Sequence, residues 1–462
     1  MAVQTKTPPQ KAPPRAKSSG ASRVFTLLAG IVCFGLLAYM FVQIIHQIVV
    51  PQPAHRLVLI QDVPLPSGLG ATSPGQTNPL APGVSQDFDH FDFQAYDVAT
   101  HQLFIAHSGP NPDLLTLAHT KFDPKFDGHI IVFNTQLNKI TGRIDIPQVA
   151  GVVDVPDLGR VYAADAQDNI IYDIDVHTFK FTPIPLPDNE SPDAMSYDPD
   201  HKLIFISDPG TPADPNKTMN ADRSNENVAV IDVVHDKLIK RINLGNIPLL
   251  PGEKVPANQI SPGNIPLYGH DVGHNHYDSG THMLFVTSQV LPNGDDPNPF
   301  LLPPPGTGEF FEINPVTLTV VKEIDLPVTC STPHGMALDS QQEVAFIACT
   351  DFGGSQNLFE NLARVNLTTM TVIPTTPSSA RLASGPDIVA IDSTLHVLFV
   401  ACKAGISIFD EKAGEFHKLS DVVIGKQTHT IAIDEQTQEV FLPMIIGGRP
   451  VLRIARYNPS GV

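Results

Sequence analysis

The sequence contains no tryptophan, only four cysteines and a single long apolar run. Three compact signatures are also missing. No CxxCH occurs, so covalent haem has no attachment point. A phosphate-cradling glycine loop and a GxSxG nucleophile elbow are absent as well. Basic residues are scarce: 29 Lys+Arg stand against 48 Asp+Glu, a formal net charge of −19. That balance argues against nucleic acid as a partner, because binding it depends on neutralising phosphates with cations. What the chain has in quantity is punctuation. Its 44 prolines and 32 glycines in 462 residues are too many for a helical protein and point to a many-turned β protein.

The one apolar run, "VFTLLAGIVCFGLLAYMFV" at 24–42, is about long enough to cross a hydrocarbon core of ~30 Å as a helix. Lys6, Lys11, Arg15, Lys17 and Arg23 precede it with no acidic residue, so the positive-inside rule keeps the tail in the cytoplasm. The expected organisation is a basic, Pro-rich cytoplasmic tail (1–23), a transmembrane anchor (24–50) and an extracytoplasmic domain (55–462). A cleaved signal peptide is the alternative, but no clear small-x-small site follows the run. Subtracting the five basic residues of the tail leaves the outer part at −24, a charge that suits solubility at a cell surface. Cys33 falls in the anchor, which leaves Cys330, Cys349 and Cys402 in an oxidising compartment.

One phrase recurs along that outer part. Aligned on a shared Asp, the copies are "FDFQAYDVATHQLFIAHSG" (Asp97), "PDAMSYDPDHKLIFISDPG" (Asp198), "VGHNHYDSGTHMLFVTSQV" (Asp278), "PHGMALDSQQEVAFIACTD" (Asp339), "PDIVAIDSTLHVLFVACKA" (Asp392) and "THTIAIDEQTQEVFLPMII" (Asp434). A degenerate seventh is "AGVVDVPDLGRVYAADAQD" at 150–168. The shortest spacing, Asp392 to Asp434, is 42 residues, which suits a four-stranded propeller blade of ~40–45. Each copy continues into two more Val- and Ile-rich runs, as in "NVAVIDVVHDKLIKRINLG" at 227–245. The expected fold is all-β: a seven-bladed β-propeller preceded by one transmembrane helix.

After "VLRIAR" (451–456) too little chain follows for a fourth strand, while "RLVLIQDVPLP" (56–66) stands alone before the first copy. The N-terminal strand is therefore expected to complete the last blade and remove an exposed edge. Strand direction then places the turns after the shared Asp on the membrane side. The long insertions at 107–128, 207–226, 288–308, 67–88 and 246–269 fall on the outward face, where binding usually resides.

These phrases, with "TPHGMALDSQQEVAFIAC", resemble the YVTN-type repeats of the YncE-like bacterial propellers over residues 56–462. The resemblance implies an extracytoplasmic propeller in a family with no single shared reaction, whose members are mostly binding or surface proteins. The absence of Trp removes both the Trp-docking motifs of quinoprotein alcohol dehydrogenases and the Trp-Asp dipeptide of intracellular propellers.

Five residues before the shared Asp lies the start of the innermost strand, at the outward mouth of the central channel. Read around the ring, that position holds Asp92, Gly151, Asp193, Gly273, His334, Asp387 and His429, with His90 and His274 close by. Imidazole plus carboxylate is the ligand set expected for a divalent metal, and it also supplies acid and base groups. The competing reading is that such residues hydrogen-bond the next blade's loop and need no ligand. Opposite residues should stand too far apart to share an ion, so the successive blades carrying His334, Asp387 and His429 form the candidate metal cluster. The segment "YGHDVGHNHYDSGTH" (268–282) adds His274 and His276, which chelate if they share one strand face, although one buried and one solvated ring fits equally. The shared Asp residues themselves belong to turns and receive no chemistry.

Cys330 lies just before the innermost strand of blade five and Cys349 at the end of that blade's second strand, so a disulfide fits if the loop turns back; two free thiols are the alternative. Cys402 is expected to be a buried thiol. The functional expectation is a membrane-anchored binding module with an unidentified extracellular ligand or protein partner, taken at the loop-rich face and channel mouth. The alternative is a metal-dependent hydrolase or lyase using the channel histidines and aspartates.

Overall fold

The recurring phrase folds as the inner half of a small sheet, and seven such sheets are present. The structure, a computed structural model, describes residues 56–66, 89–110, 128–187, 191–208, 227–244, 268–292, 308–327, 329–330, 332–350, 360–403, 405–412, 415–425 and 428–460. Within Arg56–Pro459 the strands, numbered β1 to β28 in chain order, form seven four-stranded antiparallel sheets. Six innermost strands are β2 (Asp89–Asp97), β6 (Val149–Val155), β10 (Met195–Asp198), β14 (Tyr268–Asp278), β18 (Pro333–Asp339) and β22 (Pro386–Asp392). The seventh sheet runs β26 (Ala432–Asp434), β27 (Glu439–Ile446), β28 (Arg449–Tyr457) and then β1 (Leu57–Pro64). Neighbouring innermost strands touch all the way round, with β2 meeting both β6 and β26. The fold is a closed seven-bladed β-propeller.

Closure uses the strand that stood alone in the sequence. Leu57 pairs with Tyr457 and Pro64 with Val451 in an antiparallel register that shifts once, between Leu59 and Gln61. The Arg453 guanidinium grips Asp62 through Nε and Nη2, each 2.7 Å from a carboxylate oxygen, a two-pronged geometry that fixes register as well as adding attraction.

The core lies between blades. Each of seven apolar clusters joins two adjacent sheets. One, for example, packs Phe104 and Val132 of blade one against Val152 and Val161 of blade two. Second strands are covered on both faces, so β19 (Val344–Cys349) is buried at every position and reads as a continuous apolar run. Outer strands such as β13 (Lys237–Asn243) are largely exposed and charged. With the apolar surface spent between blades, the axis is left to the first residues of the innermost strands.

The shared Asp does turn work. Asp339 Oδ1 accepts from the backbone N–H of Gln341 and Gln342 at 2.9 and 3.0 Å, and Asp392 Oδ1 does the same for Thr394 and Leu395. Blade two corrects the sequence reading. Its pairing of Val149 with Asp165, followed by a bulge to Val152, matches Pro333 with Cys349 in blade five. Val155 therefore takes the place of the shared Asp, and Ala150 rather than Gly151 holds the ring position. Without an Asp the copy had no anchor for alignment. Its turn keeps the positive φ that the other blades place four residues after the Asp, at His101, Lys202, His282, Glu343, His396 and Gln438, and here Gly159 adopts it at φ +62° without cost.

The only helix among the described residues is the single turn α1 (Pro377–Ala380), and none there is long and apolar enough to cross a membrane. The apolar run at 24–42 lies outside the described residues, as does most of each long insertion.

Candidate metal centre at the channel mouth

Near the start of five innermost strands the ladder skips two residues. The register jumps from Phe91 to Gln94, Val149 to Val152, Val272 to Asn275, Pro333 to Met336 and Pro386 to Val389. A bulge re-aims the residues it frees. Those residues include Asp92 and Phe93, Gly273 and His274, His334 and Gly335, and Asp387. His429 precedes β26 in the equivalent place.

Glycine at the second bulge position allows blades to approach closely. A Cβ on Gly335 would overlap the Asp387 carbonyl oxygen, and one on Gly151 would overlap that of Asp193. In blade four Gly273 sits at the first position instead, facing Thr287, and His274 follows it. The imidazole of that blade thus comes from one residue later than in blades five and seven.

Side chains from five blades converge. Asp387 Oδ2 lies 2.6 Å from His429 Nδ1, and Asp387 Oδ1 lies 2.9 Å from His334 Nδ1. His274 Nε2 stands 3.9 Å from Asp387 Oδ1, although one whole blade lies between their strands. On its other side the His274 ring lies 4.9 Å from the ring of Phe93 in blade one. The His274–Phe93 contact reaches across the axis, while the polar groups that approach one another come from successive blades, as expected. On the far side of Asp387, His429 Nε2 lies 3.8 Å from Asp92 Oδ1, and the His429 and His90 rings are 4.6 Å apart.

Two sets of convergent donor atoms result: His274, His334 and Asp387, and separately His90, Asp92 and His429, each with its atoms within 4.8 Å of one another. The sequence-derived trio His334, Asp387 and His429 is thereby divided, since the two imidazoles face different oxygens of one carboxylate. Asp193 belongs to neither set. His276 also stays out: its ring is 6.5 Å from that of His274, and it hydrogen-bonds the backbone of Met336 instead. Sequence reading noted His90 beside Asp92 without placing it, and missed Phe93 altogether, because nothing in a strand period marks a bulge.

Electrostatics sort these groups. Burial alone would push the Asp387 carboxyl up, but His429 and His334 outweigh it and hold it well below the usual carboxylate range. Burial alone would likewise lower the His429 imidazolium, and Asp387 beside it reverses the sign and raises it. Burial, reinforced by His334, holds His274 well below the ordinary imidazole value. Burial takes His276 down to about 4 and, with His429 adding to it, His90 to about 3. Asp92 is pushed up to about 6, chiefly by burial. Neutral His274 and His90 keep lone pairs for a cation.

The residues fit a first-row divalent ion. Bonds of ~2.1 Å to nitrogen and oxygen span ligand atoms up to ~4.2 Å apart, so the described sets need to close by less than ~1 Å. Asp387 Oδ1 is buried between His334 Nδ1 at 2.9 Å and His274 Nε2 at 3.9 Å. Two imidazoles and one carboxylate with open positions suit iron, zinc or copper rather than calcium or magnesium, which take oxygen ligands. His334 is the most exposed member of this set, with 33 % of its side chain accessible against 9 % for Asp387 and 3 % for His274.

A disulfide anchors the approach to this site. Cys330 and Cys349 are bonded, closing 19 residues of chain, and Pro333, next to His334, pairs with Cys349. Cys402, its counterpart in blade six, is a buried free thiol pushed up to about 12 by burial.

No family model matches the chain, and no curated protein matches it. Solved structures do: 1398 chains match, too many for the fold to specify a reaction. One is hydrazine synthase of Kuenenia stuttgartiensis, aligned over 82 % of this chain and 99 % of that one, at 10 % identity and a TM-score of 0.54. At that identity the likeness concerns the fold alone.

Proposed function

We propose that this chain is a cell-surface binding propeller of the YVTN-repeat, YncE-like kind, anchored through residues 24–42, that holds a first-row divalent metal ion at its channel mouth. The observation that carries the metal is the convergence of His274, His334 and Asp387 from blades four, five and six, with their donor atoms within 4.8 Å of one another and Asp387 Oδ1 buried between the two imidazoles. The repeat phrases and the basic tail before a single apolar run support the surface location. A disulfide accords with an oxidising compartment.

The test of the metal uses the purified full chain, stripped with a chelator and dialysed against Zn(II), Co(II) or Ca(II). Tight Zn(II) and Co(II) binding that falls at least tenfold in His334→Ala, without matching Ca(II) binding, is the expected result. A stripped protein that takes up no transition metal overturns the assignment. For location, a membrane-impermeant maleimide should label Val316→Cys, an exposed position, on intact cells. Labelling only after permeabilisation would place the propeller on the other side.

A further inference from the structure

We infer that the channel mouth holds a second divalent ion, between His90, Asp92 and His429, beside the one between His274, His334 and Asp387. The inference rests on the first set being a metal seat, and adds a distinct position contributed by blades one and seven.

Three observations carry it. First, the separations suit a shared ion and not a hydrogen bond. His429 Nε2 and Asp92 Oδ1 are 3.8 Å apart, beyond hydrogen-bond range, as are His274 Nε2 and Asp387 Oδ1 at 3.9 Å. Ligand atoms around one first-row ion are ordinarily ~3–4 Å apart.

Second, His429 is oriented as metal-binding histidines are. Its Nδ1 is engaged by Asp387 Oδ2 at 2.6 Å, which aims Nε2 at Asp92. A carboxylate holding the far nitrogen of a ligating imidazole fixes the ring and raises its basicity.

Third, the composition of the first set is repeated, two imidazoles and one carboxylate, with the rings of His90 and His429 4.6 Å apart. Asp387 then serves both positions, as a ligand through Oδ1 and as the orienting partner of a ligand through Oδ2. Each ion brings positive charge close to the other, and Asp92 and Asp387 offset it.

Stoichiometry tests this directly. The stripped full chain, titrated with Co(II) and read by its absorption and by elemental analysis, should take up two equivalents. His90→Ala and Asp92→Asn should each retain one, and His334→Ala should also retain one, with unchanged circular dichroism showing that the fold survives. His90→Gln replaces His90→Ala if the latter does not fold. One equivalent in the unmodified protein, or two in His90→Ala, overturns the second position while leaving the first. No uptake at all overturns the metal-seat reading on which it rests.

Discussion

His429 Nδ1 donates to Asp387 Oδ2 at 2.6 Å, linking the innermost strand of blade six to the start of blade seven. The carboxylate charge is what makes this contact useful, since it raises the His429 imidazolium and keeps its other nitrogen pointed at Asp92. Asp387→Asn preserves shape and removes the charge. We expect the first ion to be lost and affinity at the second to fall by about 10–100-fold, the usual cost of deleting an orienting partner. Competitive Zn(II) titration of the two proteins measures both effects.

Gly335 is the point where blade five meets the backbone of blade six, and a Cβ there would strike the Asp387 carbonyl. Gly335→Ala should destabilise the fold by about 1–3 kcal/mol, as overpacking does, and weaken metal binding by displacing Asp387. Gly159→Ala is the comparison: its positive φ costs about 1 kcal/mol, but it lies in a turn after Val155. Metal affinity should survive in the second variant and not in the first.

Asp154 lies beside Asp97 in a partly buried place, and burial followed by that neighbour pushes its carboxyl up to about 7. A carboxyl raised on folding makes the native state hold its proton more tightly than the unfolded chain does. Its contribution is therefore complete below the unfolded value near 3.8 and disappears as pH rises to about 7. Asp154→Asn should stabilise the protein at about pH 8 by on the order of 2 kcal/mol, with the difference vanishing near pH 4. Urea midpoints across that range provide the measurement.

The Cys330–Cys349 bond closes a short loop that carries His334. Its removal by Cys330→Ser should cost about 3 kcal/mol, the loop-entropy value for a ring of this size. A reductant should do the same to the unmodified protein. Cys402, buried and with its thiol pushed up to about 12, should resist alkylation until the chain unfolds.

Much of the architecture is written in the sequence because period and punctuation repeat. The Asp at 97, 198, 278, 339, 392 and 434 marks each first turn, and the orphan strand at 56–66 announces the ring closure that Leu57 and Tyr457 complete. Blade two was recognised but set one residue out of register, because Val155 stands where the other copies carry the Asp and offers nothing to align on. The site was legible as a set of residue types and not as an arrangement. Alternation along a strand carries no sign of a two-residue bulge, so Phe93 and His274 were not seen meeting across the axis. The same blindness grouped His334 with His429, when the two oxygens of Asp387 keep them on different sides.

Asp62 and Arg453, 391 residues apart, clasp the same sheet. The ribosome delivers β1 ahead of every other strand of the propeller and its partner β28 behind all of them. That early strand must wait, unpaired and with apolar Val58, Leu59 and Ile60 on offer, until synthesis is nearly done. A premature stop after Val422 and before Arg449 therefore yields six finished blades with a gap, and a sticky ribbon free to find the wrong mate.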